Sequence, residues 1–321
     1  MTYSVGGLIQ ATDYNGFVST TAGANVNATW GTSTSSAGWG QTALGTVSTA
    51  GTVTATQWAG LVNTLASMGS QTGTTITSRT APTTGATIAV LAAVNTDLTN
   101  CYNNRANAVA VGTQFTSWTG TNSKTAATGA SAWTITFTNT VSFASADAAR
   151  YFFNAGGIIK IQTAKSSTGA TGDPEWNDLA STLCGAIYIS GIGTAHTIAG
   201  TSYTGVTKIG GTGTPNTLAT STGWYALTPG AAATIVYKQF ADSSPYTSNY
   251  IQHSLEVNAG STALTITTVW VNPEGDPISG GTAASGATPG TAPCTVVTYF
   301  PPSTTYLTNS WGTPSVAATT A

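Results

Sequence analysis

The spacing of apolar residues divides the chain, with steps of three and four in the N-terminal third and strict alternation after about residue 126. Between residues 12 and 30, aromatic and aliphatic side chains recur at helical spacing, although Gly and Thr weaken the predicted helix. Residues 54–68 predict a stronger helix, because Thr54 and Gln57 form a capping box. The apolar stripe of this second helix consists of Trp58, Leu61, Val62, Leu65 and Met68.

A third helical pattern covers residues 86–109 and repeats close to every seven residues. A heptad-like seam needs a facing helix. We therefore expect the second and third helices to pack on each other or on symmetry copies. The predicted structural and interface residues of these two helices are Trp58, Leu61, Leu65, Leu91 and Leu98.

Alternation begins clearly at residues 133–138, where Trp133, Ile135 and Phe137 alternate with threonines. This pattern predicts a half-buried strand with a hydroxyl face. Eight further strands are predicted between Gly, Pro, Asn or Asp turns. They cover residues 157–164, 184–191, 205–211, 223–228, 233–240, 250–258, 263–272 and 294–300.

Short strands at this spacing favour an antiparallel sandwich or jelly roll over a parallel sheet. The sequence therefore predicts an α+β chain. A helical oligomerisation or docking region would cover residues 1–125, and an antiparallel β-sandwich domain would cover residues 126–321. A Gly/Pro/Ser-rich loop is expected at 275–293.

One aromatic block interrupts the strands. Residues 145–153 predict a capped helical turn that carries Tyr151, Phe152 and Phe153, and the pair at 156–157 is Gly-Gly. The two glycines let the chain reverse from this turn into a strand, by a positive φ or by close backbone approach. We expect one Phe to fill the core and the other to seal a neighbouring element or subunit.

Charge is scarce, with eight basic and ten acidic residues in 321, or 6%, where a soluble domain carries about 25%. Without a Lys/Arg cluster, nucleic acid is excluded as an expected partner. No apolar run is long enough to span a membrane, and the N-terminus does not resemble a signal peptide. The three cysteines, Cys101, Cys184 and Cys294, are predicted to be small buried residues.

No set of residues in the sequence is a convincing candidate for acid–base catalysis. Asp173, Glu175 and Asp178 form the densest acidic cluster, but Asp-Pro-Glu is what the start of a helix favours. His196 and His253 occupy expected polar positions of strands, where solvent or a structural hydrogen bond is their expected partner. The sequence predicts a chain that is not an enzyme and needs no cofactor and no metal.

Several aromatic residues of the C-terminal half are candidates for stacking on sugars, although core or subunit contacts are the alternative for each. They are Trp224, Tyr225, Tyr246, Tyr250 and Trp311.

Four segments resemble virion structural proteins of tailed bacteriophages, particularly those of phages that infect aquatic bacteria and cyanobacteria. They are "ATDYNGF" at 11–17, "WGQ" at 39–41, "VTATQWAGLVNTL" at 53–65 and "ARYFFNAGGIIKI" at 149–161. Together they span roughly the first half of the chain, and residues 190–321 carry no part of the resemblance.

The resemblance implies a tail, neck or fibre component of the virion, without family catalytic residues. We expect a homo-oligomer, a trimer or ring, whose N-terminal helices dock to other virion proteins and whose β-rich part projects outward. Such a chain is synthesised in the host cytoplasm and released by lysis. Two alternatives stay open: a capsid decoration protein present in many copies, and a receptor-binding module for a host surface glycan. A tailspike depolymerase would need a carboxylate pair outside helix caps.

Overall fold

A computed structural model describes ten stretches of the chain. They are residues 10–19, 24–33, 36–85, 93–115, 122–123, 132–165, 173–274, 278–279, 282–283 and 293–320. Helices and sheets both contribute, and all pairings between the named strands of these stretches are antiparallel. The chain is α+β, as the sequence predicts.

Six helices are described, four of them before residue 104. They are α1 Ala11–Val18, α2 Val26–Thr29, α3 Ala55–Thr72, α4 Val94–Asn103, α5 Ala146–Asn154 and α6 Asp173–Asn177. The last continues as a π-helical turn, Asp178–Leu183. The single helix expected over residues 12–30 is wrong, because Ser19 is extended after α1 and Asn25 caps α2, accepting a hydrogen bond from the Ala28 N–H at 2.9 Å.

Helix α3 has the predicted capping box, since the Thr54 Oγ1 accepts from the Gln57 N–H and the Gln57 Oε1 accepts from the Thr54 N–H. It ends at Gly73, whose φ of +69° is the left-handed conformation that glycine adopts without steric cost. Helices α3 and α4 contact each other, and Leu98 and Cys101 of α4 are fully buried. The expected helix pairing therefore forms within one chain.

Fifteen strands are described. They are β1 Asn122–Ser123, β2 Trp133–Ser142, β3 Ile158–Lys165, β4 Ala186–Ile189, β5 His196–Ile198, β6 Thr201–Tyr203, β7 Val206–Ile209, β8 Thr217–Leu218, β9 Thr234–Phe240, β10 Tyr250–Val257, β11 Ala263–Asn272, β12 Ile278–Ser279, β13 Thr282–Ala283, β14 Pro293–Phe300 and β15 Ser315–Thr320. Most of the predicted loop at 275–293 lies outside the described residues.

Two sheets account for most of these strands. The five-stranded sheet has the order β1-β14-β3-β4-β7, and the six-stranded sheet has the order β15-β2-β11-β10-β9-β8. Strands β5 and β6 form a separate hairpin, as do β12 and β13. The strand predicted at 223–228 is wrong. The chain there makes a 3₁₀ turn, Trp224–Ala226, because Gly223 crosses so close to the backbone of Gly191 that a Cβ would lie 2.6 Å from its oxygen.

An irregularity in the pairing of β9 with β10 shifts the register between His253 and Ser254. As a result Val236 and Tyr237, which are neighbours on β9, are both buried, while Ile235 is exposed. A β-bulge has this effect, because it inserts one extra residue into a strand. The bulge thus decides which side chain of β9 reaches solvent.

A helical segment contacts residues of both sheets. Tyr237 of the six-stranded sheet donates its hydroxyl to the Cys184 carbonyl at 3.1 Å. Thr163 of the five-stranded sheet donates to the Ala180 carbonyl at 3.0 Å. Trp176 of α6 stacks on Trp270 of β11 at 5.8 Å between ring centroids. Residues 176–184 are therefore part of the core.

One apolar core contains side chains from α1, α3 and α4 together with both sheets. The boundary near residue 125 stays a prediction. The corner at α5 belongs to this core: Phe152 and Phe153 are both buried, and Phe153 stacks on Trp224 at 4.9 Å. The second Phe therefore seals a neighbouring element of the same chain. Gly156 has a φ of +97°, and a Cβ there would lie 2.5 Å from the Ala108 Cβ.

The outer face of the five-stranded sheet is covered by other parts of the chain. A second apolar cluster forms there, in which Ile158 of β3 packs with Ala108 and with Ile198 and Tyr203 of the β5–β6 hairpin. Tyr203 meets Tyr188 of β4 edge to face at 5.6 Å. This sheet is consequently buried on both sides at Ile158, whereas Gln162 farther along β3 is exposed.

Candidate functional site

The residues predicted to form helical interfaces lie in the core of the chain itself. Trp58, Leu61, Leu65 and Leu98 are each at most 1% exposed, whereas Leu91 lies outside the described residues. Tyr151, Phe152 and Phe153 are also buried. All the described members of this set are therefore buried within the chain.

The four segments that carry the phage resemblance contact one another in two pairs, and Gln71, which follows the third segment in α3, joins the pairs. Tyr14 packs edge to face on Trp58 at 5.7 Å, which joins the first segment to α3. The Trp39 indole N–H donates to the Asn154 carbonyl at 3.0 Å, and the Asn154 amide donates to the Gly38 carbonyl at 2.8 Å. Gln71 near the end of α3 donates to the Ala155 carbonyl at 3.1 Å. Together these contacts hold the segments in one buried junction.

The junction also includes a C-terminal segment that sequence reasoning missed. The Gln41 amide nitrogen donates to the Thr308 carbonyl at 2.9 Å, and the Thr308 N–H donates back to the Gln41 Oε1 at 2.8 Å. Ser310 donates to the Trp39 carbonyl at 2.6 Å. These partners are 267 and 271 residues apart, so no local pattern could have indicated them.

Three of the five candidates for sugar stacking have no free ring face. Trp224 is 6% exposed, Tyr246 is 8% exposed and Trp311 is 2% exposed. Burial leaves these three rings no face for a sugar, and it agrees with the alternative of core contacts. Tyr225 is partly exposed, with its hydroxyl donating to the Asn154 Oδ1 at 2.8 Å. Burial of that hydroxyl raises the pKa of Tyr225 above its usual value.

Tyr250 lies on the outer side of the six-stranded sheet, and its ring is already occupied. The Lys238 Nζ lies 3.7 Å from the Tyr250 ring centroid and 4.6 Å from that of Phe240. A cation held between two rings in this way is stabilised by the ring quadrupoles. Tyr250 therefore positions a lysine at the surface.

The histidines are buried rather than placed at polar strand positions, so that part of the prediction is wrong. His253 is 1% exposed, forms a hydrogen bond with the Thr268 hydroxyl at 2.9 Å and stacks on Tyr237. Burial lowers the pKa of His253 to about 3 and also lowers that of His196, which forms a hydrogen bond with the Thr194 carbonyl. Both rings are hydrogen-bonded structural groups, which the sequence also predicted.

In the described part of the chain, no residues support a nucleophilic site or a metal site. Cys101 and Cys184 are buried free thiols, as predicted, and burial raises the pKa of each to about 11. The side chain of Cys294 lies outside the described residues. Within these stretches no three His, Cys, Asp or Glu side chains are placed to share a metal ion, and no described helix could cross a membrane.

A groove of about 420 Å³ lies between α3 and residues 73–79. Arg79 is the one charged residue among its described lining residues. The Arg79 Nη2 lies 2.5 Å from the Asp97 Oδ2, and both side chains are almost completely buried. The Thr77 N–H also donates to that carboxylate. Because Asp97 already neutralises the guanidinium, the groove offers no free charge to a ligand.

The outer face of the six-stranded sheet is different, because it is polar and nearly uncharged. Burial alternates along β2, β10 and β11, so every second residue points outward. We name this surface the hydroxyl face. Its outward residues are Thr134, Thr136, Thr138, Thr140, Ser142, Tyr250, Gln252, Ser254, Glu256, Ala263, Thr265, Thr267, Val269 and Val271.

Register places these hydroxyls in rows across the strands. Thr138 lies beside Thr267, and Thr267 lies beside Ser254. In the next row the Thr140 and Thr265 hydroxyl oxygens are 3.5 Å apart. Each hydroxyl can both donate and accept a hydrogen bond. Such a face suits a neutral, hydrogen-bonding partner rather than a charged one.

Comparison with protein family models, with curated proteins and with solved structures returns no match to this chain.

Proposed function

We propose that the chain is a non-enzymatic structural component of a bacteriophage virion, a homo-oligomeric tail, neck or fibre protein. The observation that carries the proposal is the buried junction formed by residues 38–41, 154–155 and 308–310. The residues behind the phage resemblance are used there for packing and backbone hydrogen bonds. Residues used for packing and backbone hydrogen bonds are what a structural role requires.

The proposal includes a finer description of the fold, in which the two sheets face each other as a sandwich. Two observations support it. Strand β7 approaches β8 at one side, and β1 approaches β15 at the other. Tyr237 and Thr163, on opposite sheets, both donate to carbonyls of residues 180–184. The helices before residue 104 would form the docking region, and the sandwich would project from the particle.

Mass spectrometry of purified virions tests the proposal directly. Particles of the phage that encodes this chain would be purified by density gradient, and the chain quantified against the major capsid protein. We expect a fixed ratio of a few copies per particle that survives high-salt washing. Absence of the chain from the particles would contradict the proposal.

The same measurement distinguishes the capsid decoration alternative from the proposal, because a decoration protein requires many copies per particle. A receptor-binding module is less well supported, because Trp224, Tyr246 and Trp311 are buried. Loss of host adsorption on blocking the chain with antibody, at unchanged particle integrity, would favour that alternative.

A further inference from the structure

An exposed isoleucine lies between two opposite charges at the side of the hydroxyl face. Ile235 of β9 is 47% exposed and pairs with Ser254 of β10. Lys238 pairs with Gln252, two residues before Ser254 on β10, and Glu256 lies two residues after it. The backbone positions of Lys238 and Glu256 are therefore about 13 Å apart along the strand direction, at about 3.3 Å per residue, with Ile235 midway.

This patch is self-complementary, because two copies of it can face each other with opposite charges paired. A two-fold axis in the plane of contact, perpendicular to the line from Lys238 to Glu256 and passing close to Ile235, brings each Lys238 opposite the Glu256 of a second copy. The same axis brings the two Ile235 side chains together. A two-fold interface uses the same patch on both subunits, so each charge pair forms twice.

The size of the face is sufficient for such a contact. Five strands from β15 to β9, about 4.8 Å apart, and strands of about eight residues give a surface of roughly 600 Å². Two such surfaces would bury about 1,200 Å² in total, which is the lower end of the range for specific, stable interfaces. Because the hydroxyl rows carry no net charge, two copies of this face can approach without repulsion at the centre.

We infer that the hydroxyl face binds a second copy of this chain through a two-fold contact centred on Ile235, with Lys238 of each copy opposite Glu256 of the other. The inference extends the homo-oligomer part of the proposed function and rests on the proposal only there. Association is measured in solution and virion incorporation in particles, so the two tests fail independently.

Sedimentation velocity of the full chain over a concentration series gives the first test. We expect a monomer–dimer equilibrium, and Ile235→Asp should weaken the dimer by about tenfold or more, because two carboxylates would meet at the desolvated centre. Val109→Asp is the matched control. Val109 is 44% exposed and lies away from the face, near Gly73, so its variant should dimerise normally. Thermal unfolding checks that both variants fold.

Charge reversal tests the two-fold geometry. Lys238→Glu alone and Glu256→Lys alone should each weaken self-association by about tenfold, because each reversal makes two like-charge pairs. Mixed together, these two variants should form a heterodimer, since every facing pair is then opposite in sign. The double variant should dimerise as the unmodified chain does. High salt should reduce all these differences.

Three results would overturn the inference. The first is a chain that stays monomeric up to its solubility limit, and the second is a dimer that Ile235→Asp leaves intact. The third is failure of the mixed charge variants to associate. A monomeric chain that binds a neutral polysaccharide, and loses that binding in Ile235→Asp, would assign the face to a glycan instead.

Discussion

The two sheets differ in what lies over their outer faces. On the five-stranded sheet, Ile158 is covered by Ala108 and by Ile198 and Tyr203 of the β5–β6 hairpin, in an apolar cluster separate from the main core. On the six-stranded sheet, the equivalent positions are threonines, serine and glutamine, and Val269 and Val271 belong to neither apolar cluster.

Because of this difference, we expect the covered face to contribute to stability and the hydroxyl face to be open to a partner. An apolar outer face must be covered for the chain to stay soluble, so the hairpin over β3 and β4 contributes to folding. A hydroxyl face can stay in water at little cost, because its groups are hydrated until a partner replaces the water. Substitutions on the covered face should therefore lower stability strongly, whereas substitutions on the hydroxyl face should lower it little.

The largest expected effect is on the covered face. Ile158→Ala removes a side chain that is 3% exposed and should lower the free energy of unfolding by about 2–5 kcal/mol. The matched variant Val269→Ala, on the hydroxyl face, should cost less than about 1 kcal/mol. Chemical denaturation measures both. Equal losses would show that the hydroxyl face is buried as deeply as the other.

Substitutions in the buried junction should lower the free energy of unfolding nearly as much. The Asn154 side chain donates to the Gly38 carbonyl and accepts from the Tyr225 hydroxyl, both at 2.8 Å. Asn154→Ala should therefore lower the unfolding free energy by about 1–3 kcal/mol, because the buried Gly38 carbonyl is left unpaired and the Tyr225 hydroxyl loses an acceptor. In Tyr225→Phe, which removes one of these bonds, the loss should be smaller. Unchanged stability of Asn154→Ala would show that the junction is dispensable.

Acid should destabilise the chain through its buried histidines. The folded pKa of His253 is about 3, whereas an unfolded His titrates near 6.5, so the unfolded state binds more protons between these values. Stability is fully present above about pH 6.5 and falls as the pH drops toward 3, by about 2 kcal/mol at pH 5 for His253. His196 adds a loss of the same sign.

The variant His253→Gln should have a flatter dependence of unfolding free energy on pH, even though it loses the stacking on Tyr237. His196→Gln is the matched comparison on the hairpin that covers the five-stranded sheet. Denaturant midpoints measured from pH 4.5 to pH 8 give the slopes. A slope unaffected by His253→Gln would show that this ring is not buried neutral.

The smallest effect is expected for single hydroxyls. Thr140→Val removes an outward group that lies 3.5 Å from the Thr265 hydroxyl, and it should change the unfolding free energy by no more than about 0.5 kcal/mol. Calorimetric unfolding at several protein concentrations measures this change in free energy. A loss above about 2 kcal/mol would mean that the hydroxyl rows stabilise the monomer.

Sequence patterns predicted the elements whose contacts are local or periodic. The capping box of α3, the Ser145 cap of α5, which accepts from the Ala148 N–H at 3.0 Å, and the alternation along β2 are all present. The prediction of a strand at 223–228 is wrong because Trp224 is held by Phe153 and by the backbone near residue 191. A short aromatic run has no period that could distinguish a strand from a turn.

The candidate surface was predicted only in part. Alternation of threonine with Trp133, Ile135 and Phe137 predicted a hydroxyl face on one strand. The assembly of that strand with β10 and β11 into a continuous face depends on pairing register. The exposure of Ile235 depends on the bulge in β9, which no sequence pattern indicated.

By itself, the sequence determined the caps of α3 and α5 and which residues of a regular strand share one side, because these follow from residue type and from spacings of two to four residues. Only the tertiary structure decided which outer face is covered and which stays open. It also decided that Gln41 binds Thr308, 267 positions away. The physical reason is that covering and long-range hydrogen bonding depend on which distant surfaces fit together, a property that local spacing does not encode.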